Sequence, residues 1–542
     1  MSAAALWAAH GPIVPIALPL VAGSLLLLLE ASRSARASAL VPWVSLLATA
    51  ALLLASVQLL VQADSGVVQA YLLGNWQAPF GIALALDRLA ALMLVLMAVV
   101  ALGSLVYALG GDSRRGVHFH ALFQFQLMGL AGAFLTTDLF NLFVFFEVLL
   151  AASYGLLLHG DADGRRARLR SALHYVVFNL VGSALFLIAV SLLYGLAGTL
   201  NMADLALKLP QLGPENARLA QAAALMLLVV FAVKAALLPL YFWLPETYAS
   251  ATAPVAALFA IMTKVGVYAI LRMSTLVFGA GAGATAGSVA PMLPLALATL
   301  TLAAIGALAA RRLNVLVAYL VIGSAGTLLL AVALAEPASV AAALFYLVNS
   351  TLVAALWFLL CDRITQARGG SDRLQPAALG PGWAGLGVLF LVAAVAVAGV
   401  PPLAGFMGKT LLLQAVGALA LAPALVMTVV ALVLLSSLLM MVALARAGSL
   451  IFWKPGPAAA PAAAVAVVAP RPAQTAHGLA LAGLAAAVVA SAVAAGPISA
   501  YTEAAAAQLF ERQTYLRAVL GAQPAPPAYD VRKEMRERGD AK

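Results

Sequence analysis

Apolar runs of about 20 residues recur along almost the whole chain, and this feature constrains the fold more than any other. Each run is long enough to cross a bilayer, because an α-helix rises about 1.5 Å per residue. A soluble domain cannot use so much apolar surface, since single hydrophobic cores stop growing near about 250–300 residues. Only 9% of the 542 residues are charged. We therefore predict an all-α polytopic membrane protein.

The apolar runs predict about fourteen transmembrane helices. The predicted spans are residues 11–30, 40–62, 86–109, 119–136, 139–158, 171–197, 219–243, 252–273, 290–310, 313–334, 338–360, 382–419, 423–453 and 476–497. Basic residues concentrate in alternate loops, which indicates the positive-inside bias. This bias explains the net charge of +10 without a nucleic-acid partner. We expect a multi-pass protein of a bacterial inner (plasma) membrane, whose first apolar run, preceded by no basic residue, is retained as a helix.

Proline interrupts two of the predicted spans, one just after Lys234 and one just before Lys409. The prolines at these breaks are Pro239, Pro245, Pro401 and Pro402. Proline removes a backbone donor and clashes with the preceding turn, so each span is expected to form two half-helices. Paired interrupted helices in corresponding positions indicate a transport site. The mirror order of lysine and break in the two spans predicts two inverted repeats, each containing a broken helix.

These features divide the chain into six expected parts. They are residues 1–118 (transmembrane helices 1–3), 119–273 (first repeat, helices 4–8 with broken helix 7), 274–453 (second inverted repeat, helices 9–13 with broken helix 12), 454–475 (an Ala/Pro linker), 476–520 (helix 14 and a surface helix) and 521–542 (a disordered tail).

Four ionisable side chains are predicted at mid-membrane depth, namely Glu147, Lys234, Lys264 and Lys409. The first three lie roughly 12–15 Å from the nearest helix end, and a lysine stem reaches only about 6 Å, so snorkelling does not bring them to water. Each such charge costs at least about 2.5–3.5 kcal/mol on insertion scales. A static ion pair, most simply Glu147 with Lys234, is the structural alternative, but one acid cannot neutralise three lysines. A row of such groups therefore predicts a proton relay.

Four further polar residues are candidates for the relay or for ion entry. His174, inside the sixth span, is either a water-linked relay member or a packing residue. Asp138 precedes the fifth span and is either a helix N-cap or an ion-entry site. Glu246 follows Pro245 and is expected to begin a half-helix, whereas Ser350, in YLVNSTLVAALWF, is expected to hold water at mid-membrane depth.

The sequence contains no signal for an enzyme. It has no Walker A motif, so nucleotide hydrolysis is excluded, and no loop is large enough for a catalytic domain. The one cysteine and six scattered histidines offer no ligand set for haem, iron–sulfur or zinc. We expect no metal and no cofactor.

Asp87 and Arg88, at the start of the third span, are expected to pair with each other at the membrane interface.

Five motifs carry a resemblance to a known family. They are GAFLTTDLFNLFVFFEVLLAASYGLLLHG (132–160), WLPETYASATAP (243–254), TKVGVYAILR (263–272), GVPPLAGFMGK (399–409) and TYLRAVLG (514–521). Together they resemble the D subunit of the Mrp/Mnh/Pha-type multisubunit monovalent cation/proton antiporters. Such subunits are similar to the antiporter-like subunits of respiratory complex I and membrane hydrogenases. The resemblance covers nearly the whole chain before the tail.

The resemblance implies roles for the buried charges. Glu147 and Lys234 would form the charge pair of one half-channel, Lys264 the central relay and Lys409 the terminal protonatable group. Relatives often have a histidine or lysine in the eleventh helix, where this chain has Ala354. The link between Lys264 and Lys409 is therefore expected to run through water and hydroxyl groups.

The implied function is that of a proton-translocating subunit of a hetero-oligomeric antiporter that exchanges Na⁺ or K⁺ for protons. Its expected partners are the other subunits of that complex, the lipid bilayer and the transported ions. A proton-pumping subunit of a complex I-type NADH-quinone oxidoreductase or of a membrane hydrogenase is the alternative. A non-conducting scaffold subunit is a third hypothesis.

Overall fold

A computed structural model describes residues 3–32, 34–161, 164–279, 287–288, 291–376, 383–454 and 471–524. Most of the predicted linker and the tail beyond residue 524 lie outside these residues. The last residues assigned to the linker are helical, because the final long helix begins at Arg471.

Most of the described residues are helical. The α-helices are α1 (Ala3–His10), α2 (Val14–Ala31), α3 (Ala35–Asp64), α4 (Arg88–Ala108), α5 (Phe119–Leu135), α6 (Leu139–Leu158), α7 (Arg165–Ala197), α8 (Met202–Lys208), α9 (Pro214–Ala235), α10 (Leu244–Ser250), α11 (Ala253–Phe259), α12 (Met262–Leu276), α13 (Met292–Ala309), α14 (Leu313–Ala333), α15 (Pro337–Ala367), α16 (Trp383–Ala398), α17 (Ala404–Ala418), α18 (Pro423–Gly448), α19 (Arg471–Val493), α20 (Ala495–Phe510) and α21 (Arg512–Leu520). Two short strands, β1 (Gln69–Leu72) and β2 (Ala83–Leu86), pair antiparallel.

The prediction of an all-α polytopic membrane protein is confirmed. Within the described residues, twelve helical segments are long and apolar enough to cross a membrane, and α5 and α16 are shorter apolar helices. Together these segments account for about fourteen crossings. That the two halves of the chain are inverted repeats stays a prediction.

Both predicted helix breaks are present. α9 ends at Ala235, and Ala236 takes a left-handed conformation with φ of 57° before the turn that contains Pro239. Pro245 lies in the first turn of α10. Backbone N–H groups in the first turn form no intrahelical hydrogen bond, so proline is tolerated there although it has no N–H. The carbonyl oxygen of Val233 accepts from the indole of Trp243 over 3.2 Å and from the backbone nitrogen of Ala236 over 3.3 Å, so the two sides of the break are joined by hydrogen bonds.

The second break separates α16 from α17. α16 ends at Ala398, and α17 begins at Ala404 after the turn that contains Pro401 and Pro402. Gly399 opens this turn with φ of 76°, a conformation that favours glycine. The two half-helices thus expose backbone carbonyls inside the bundle.

A third interruption lies within the predicted span 252–273, which is one apolar helical segment over Ala253–Leu276. α11 ends at Phe259 and α12 begins at Met262. Tyr248 supplies the physical reason, because its hydroxyl donates to the carbonyl oxygen of Phe259 over 2.8 Å. A side chain that inserts into the helical hydrogen-bond ladder is a recognised cause of such a bend.

The centre of the bundle consists of α11–α12, α14 and α15. Their apolar segments are 100%, 89% and 94% buried, whereas that of α18 is only 22% buried. Side chains that project from α12 therefore lie among other helices and away from the lipid-facing surface.

The two ends of the bundle differ in charge. At one end, which we call the basic end, α4 and α6 finish and α7, α11 and α14 begin. Its arginines include Arg114, Arg115, Arg165, Arg166, Arg311, Arg312, Arg363, Arg368 and Arg373. Arg115 pairs there with Asp161 over 3.3 Å, which joins the α4–α5 connection to the α6–α7 connection.

At the opposite end, Asp87 does not pair with Arg88 as the sequence suggested. Asp87 caps α4 and receives two hydrogen bonds from Arg272, with N–O distances of 2.5 and 2.9 Å. Arg88 instead pairs with Asp64. The surface helix predicted within residues 476–520 is two helices, α20 and α21, and Tyr515 of α21 lies 5.2 Å from the Arg272 guanidinium. Sequence proximity was misleading here, because the capping geometry turns the Asp87 carboxylate toward the bundle.

Candidate functional site

α7 places two polar side chains between Glu147 and Lys234. Asn179 and Ser183 are four residues apart and therefore share a helix face. The Lys234 Nζ donates to the Asn179 Oδ1 over 2.8 Å, and the Ser183 hydroxyl donates to the Glu147 carboxylate. Glu147 and Lys234 are thus near each other, but each is bound to a neutral group of α7 and they form no contact ion pair.

Lys234 lies in the last turn of α9, directly before the first break, and is 9% exposed. Its ammonium group is 5.6 Å from the centre of the Phe146 ring, a cation–π distance. Gly266 allows α12 to approach this break, because a Cβ atom there would lie 2.4 Å from the backbone nitrogen of Ala235. The end of α9 is therefore packed against the same helix that carries Lys264.

Lys264 is fully buried at 0% exposure in the centre of the bundle. Its Nζ donates to the Ser324 hydroxyl of α14 over 2.8 Å and to the Thr263 hydroxyl over 3.3 Å. A hydroxyl can accept from an ammonium group and can also donate to a neutral amine. The site therefore accommodates either protonation state of the lysine.

Lys409 is buried beside the second break. Its Nζ donates to the carbonyl oxygens of Ala398 (3.0 Å) and Val397 (3.3 Å) and to the Ser437 hydroxyl (2.9 Å). The two carbonyls belong to the end of α16, which carries the negative pole of the helix dipole. The break of α16 thus provides the oxygen atoms that bind this lysine.

A small cavity lies between the surroundings of Lys264 and those of Lys409. It is lined by Ser324, which binds Lys264, and by Val397, whose carbonyl binds Lys409. Asn349 and Ala354 also line it, and the Asn349 Oδ1 is buried without a hydrogen-bond partner in the described residues. The space open to the centre of a water molecule is about 20 Å³, enough for one water.

The remaining sequence candidates divide into those inside and those outside this arrangement. Ser350 lines the cavity between the two lysines. Asp138 is the N-cap of α6, with its carboxylate accepting from the Asn141 backbone nitrogen over 2.8 Å, and burial raises the pKa of this carboxyl. His174 lies on the exposed face of α7, and Glu246 is 67% exposed at the basic end. The structure does not bring His174 or Glu246 to the buried lysines.

Sequence reasoning missed the neutral partners of the charged groups, which are Asn179, Ser183, Ser324 and Ser437. Asn179 and Ser183 carried a usable signal, because they recur at helical spacing within an apolar span. Ser324 and Ser437 carried none, since single serines are common in transmembrane helices. Within the described residues, no group of three or more His, Cys, Asp or Glu side chains is arranged to hold a metal ion.

The chain is similar to known transport proteins over most of its length. Residues 136–469 match the family model described as NADH:quinone oxidoreductase/Mrp antiporter, transmembrane. The chain is 45% identical over 479 residues to the probable K⁺/H⁺ antiporter D subunit of Rhizobium meliloti, covering 82% of this chain and 87% of that protein. It is 39% identical over 389 residues to the Na⁺/H⁺ antiporter D subunit of Bacillus subtilis, covering 71% and 76%.

The fold is also similar to a solved structure. A chain in the structure of the Mrp complex from Dietzia sp. superimposes with a TM-score of 0.81 and 27% identity. The match covers 94% of this chain and 99% of that chain.

Proposed function

Because the chain belongs to the NADH:quinone oxidoreductase/Mrp antiporter transmembrane family, we propose that it is the proton-translocating D subunit of a hetero-oligomeric Na⁺ or K⁺/proton antiporter. The proposed location is a bacterial plasma membrane. The relatives described above are antiporter subunits, which favours a transporter subunit over an enzyme.

The proposed proton path runs along the buried charges in the order Glu147, Lys234, Lys264 and Lys409. The observation that carries this proposal is that each of the three lysines is buried and that its hydrogen-bond partners among the described residues are hydroxyl, amide or carbonyl groups. Within the described residues, no contact carboxylate locks any of them in the charged state. Protons could then be passed on, with each change of charge altering the energy of the neighbouring site.

Two features support continuity of this path. The end of α9, with Lys234, packs against α12 through Gly266, two residues after Lys264. The cavity lined by Ser324 and Val397 offers a place for one water between Lys264 and Lys409. This cavity is consistent with a water and hydroxyl link at the position where Ala354 replaces the charged residue of many relatives.

A proton-pumping subunit of a complex I-type oxidoreductase or membrane hydrogenase remains the alternative, because the matching family includes NADH:quinone oxidoreductase subunits. The two functions differ in the energy source. The purified complex, reconstituted in vesicles, should exchange protons for Na⁺ or K⁺ without any redox substrate. Proton transport that requires electron transfer would favour the alternative.

The relay is tested in the same vesicles with Glu147→Ala, Lys234→Ala and Lys409→Ala. Each should abolish exchange while the complex still assembles. Glu246→Gln is the matched control, because Glu246 is a charged side chain of the same chain that points to solvent. Normal exchange in the three relay variants, with normal assembly, would favour a scaffold subunit.

A further inference from the structure

A long apolar groove runs between α16 and α18 on the outside of the bundle. Its walls are apolar side chains and glycines, among them Trp383, Gly387, Leu391, Ala445, Phe452 and Trp453. Leu391 is 60% exposed and Trp453 is 73% exposed, so the groove opens toward the surroundings of the chain. Its volume is about 570 Å³, and no segment of the described residues fills it.

The length of the groove corresponds to one leaflet of a membrane. Trp383 and Ala398, the first and last residues of α16, both line it. At about 1.5 Å per residue, the groove therefore runs roughly 22 Å along this helix. The hydrocarbon of one leaflet is about 15 Å thick, half of the roughly 30 Å of a bilayer. The groove is thus long enough to extend from the membrane interface to the middle of the bilayer.

Aromatic residues gather at one end of the groove. The rings of Trp383 and Phe452 lie with their centres 4.3 Å apart. Phe452 and Trp453 belong to a single π-helical turn, Ser449–Trp453, that follows α18. Tryptophan is enriched where a membrane protein crosses the interface between hydrocarbon and water. We therefore assign this end of the groove to the membrane interface.

Positive charge surrounds the interfacial end of the groove. Lys454 is exposed and directly follows Trp453. Arg446, in the last turn of α18, donates to the carbonyl oxygen of Ala310 over 2.8 Å, and Arg311 comes next in the chain. The interfacial end of the groove thus belongs to the basic end of the bundle. An apolar groove with a cationic rim is complementary to a molecule that has an apolar chain and an anionic head group.

The dimensions of the groove favour an acyl chain over a helix of another protein. Its volume is nearly four times that of the roughly 150 Å³ apolar cavity that binds one benzene molecule, so a single acyl chain fits. α16 and α18 pack against each other, and the axes of packed helices are about 8–10 Å apart. A helix with its side chains is about 10–12 Å wide and cannot enter the space between them.

We infer that this groove binds an anionic phospholipid, with one acyl chain along α16 and the phosphate group near Lys454. This binding site goes beyond the proposed function. The inner end of the groove is lined by Ala398 and Val400, which flank Gly399 at the second helix break. Ala398 also supplies one of the carbonyl oxygens that bind Lys409. The bound chain therefore packs against the turn that positions this lysine.

The phospholipid site is tested with a phosphatidylglycerol that carries a photoreactive diazirine in its acyl chain. The full complex is reconstituted in phosphatidylcholine vesicles that contain a trace of this lipid, and the labelled peptides are identified by mass spectrometry after irradiation. We expect the groove to be labelled more strongly than the exposed face of α18 at Leu434 and Leu438. Labelling no stronger than on that face would overturn the inference. Labelling requires no transport, so its outcome is independent of the proposed function.

Gly387→Leu should block the site. Gly387 lines the groove, and a Cβ atom there would lie 3.5 Å from the Phe452 ring, an ordinary contact distance. Gly385→Leu is the matched control, because Gly385 lies on the same helix, does not line the groove and would place a Cβ atom within 4 Å of no described atom. We expect labelling of the groove to fall by about tenfold in Gly387→Leu, the effect of roughly 1.4 kcal/mol on binding. Equal labelling in the two assembled variants would overturn the inference.

Lys454→Gln tests the position of the phosphate group. Loss of the positive charge should lower labelling of the groove by the phosphatidylglycerol probe. Lys208→Gln is the control, because Lys208 is a solvent-accessible lysine of α8, which packs against α21. Equal labelling in these two variants would overturn the placement of the head group at Lys454.

A benzophenone side chain placed at Leu391 identifies the occupant directly, and it covers the case in which Gly387→Leu does not assemble. Leu391 lines the groove, so irradiation should attach this side chain to phospholipid. Cross-linking to another subunit, or to residues 455–470 of this chain, would overturn the inference.

Discussion

At the scale of single residues, the three buried lysines have the same type of hydrogen-bond partner. Each is bound by uncharged oxygen atoms, and even Lys234, near Glu147, binds the amide of Asn179. A contact carboxylate would stabilise the ammonium form further, through the direct attraction between opposite charges. Neutral partners hold the side chain in place without fixing its charge. This property is what a proton carrier requires.

Ser324 is the first residue at which this reasoning can be tested. Ser324→Ala removes the 2.8 Å hydrogen bond from Lys264 and leaves only the longer one that Lys264 donates to Thr263. Loss of a bond to a buried charged group costs about 1.5–3 kcal/mol, so exchange should fall by roughly tenfold or more. Exchange is measured in vesicles at equal abundance of the complex.

Thr301→Ala is the control for Ser324→Ala. Thr301 is a half-buried hydroxyl of α13 that binds the carbonyl of Leu297 in its own helix. The Thr301→Ala substitution should leave exchange unchanged. Equal losses in the two variants would show that Ser324 has only a general packing role.

Asn179 gives a prediction of the opposite kind, in which the partner of Lys234 gains a negative charge. Asn179→Asp places a carboxylate where the amide now accepts from Lys234. The new ion pair should hold the lysine as ammonium, so exchange should fall by about tenfold or more while the complex remains assembled. His174→Ala, on the exposed face of the same helix, should exchange normally. Faster exchange in Asn179→Asp, or a loss in His174→Ala, would contradict this assignment of the two faces of α7.

At the scale of helices, the three interruptions show what sequence can and cannot predict. Pro239 and Pro401 mark two breaks, because proline changes the local backbone wherever it occurs. The third break has no such mark. It depends on Tyr248, which lies on the preceding helix α10 and donates its hydroxyl to the Phe259 carbonyl at the end of α11. The same limit applies to the site, since the depth of Lys264 follows from its helix but its partner Ser324 comes from another helix.

Gly399 tests the role of the second break. Its φ is 76°, and a Cβ atom there would lie 2.7 Å from the Cδ of Lys409. Gly399→Ala should therefore impose about 1–2 kcal/mol of backbone strain and displace the lysine from the carbonyls of α16, which lowers exchange. Gly417→Ala is the control, because Gly417 lies on α17 and a Cβ atom there meets no atom of the described residues within 4 Å. Similar exchange in both variants would mean that the position of Lys409 does not depend on this turn.

At the scale of the whole molecule, one buried ion pair connects α12, in the centre of the bundle, to distant parts of the chain. Arg272, at the end of α12, binds Asp87 at the start of α4 and stacks near Tyr515 of α21. Lys264 is eight residues earlier on the same helix, and Tyr268 between them donates to the Phe134 carbonyl of α5 over 2.6 Å. The opposite end of the bundle thus fixes the position of α12.

Removal of one partner of this pair should destabilise the whole chain. Asp87→Ala leaves the Arg272 guanidinium buried and unpaired, which costs about 3–5 kcal/mol, and it also removes the cap of α4. Asp64→Ala is the matched control, since Asp64 pairs with Arg88 but is 62% exposed and such pairs contribute about 0–1 kcal/mol. Thermal unfolding of the purified complex should show a much lower midpoint for Asp87→Ala than for Asp64→Ala. The double variant Asp87→Ala with Arg272→Met should recover part of the loss, because it removes the unpaired charge. If it recovers none, the destabilisation comes from the lost helix cap and not from the buried arginine.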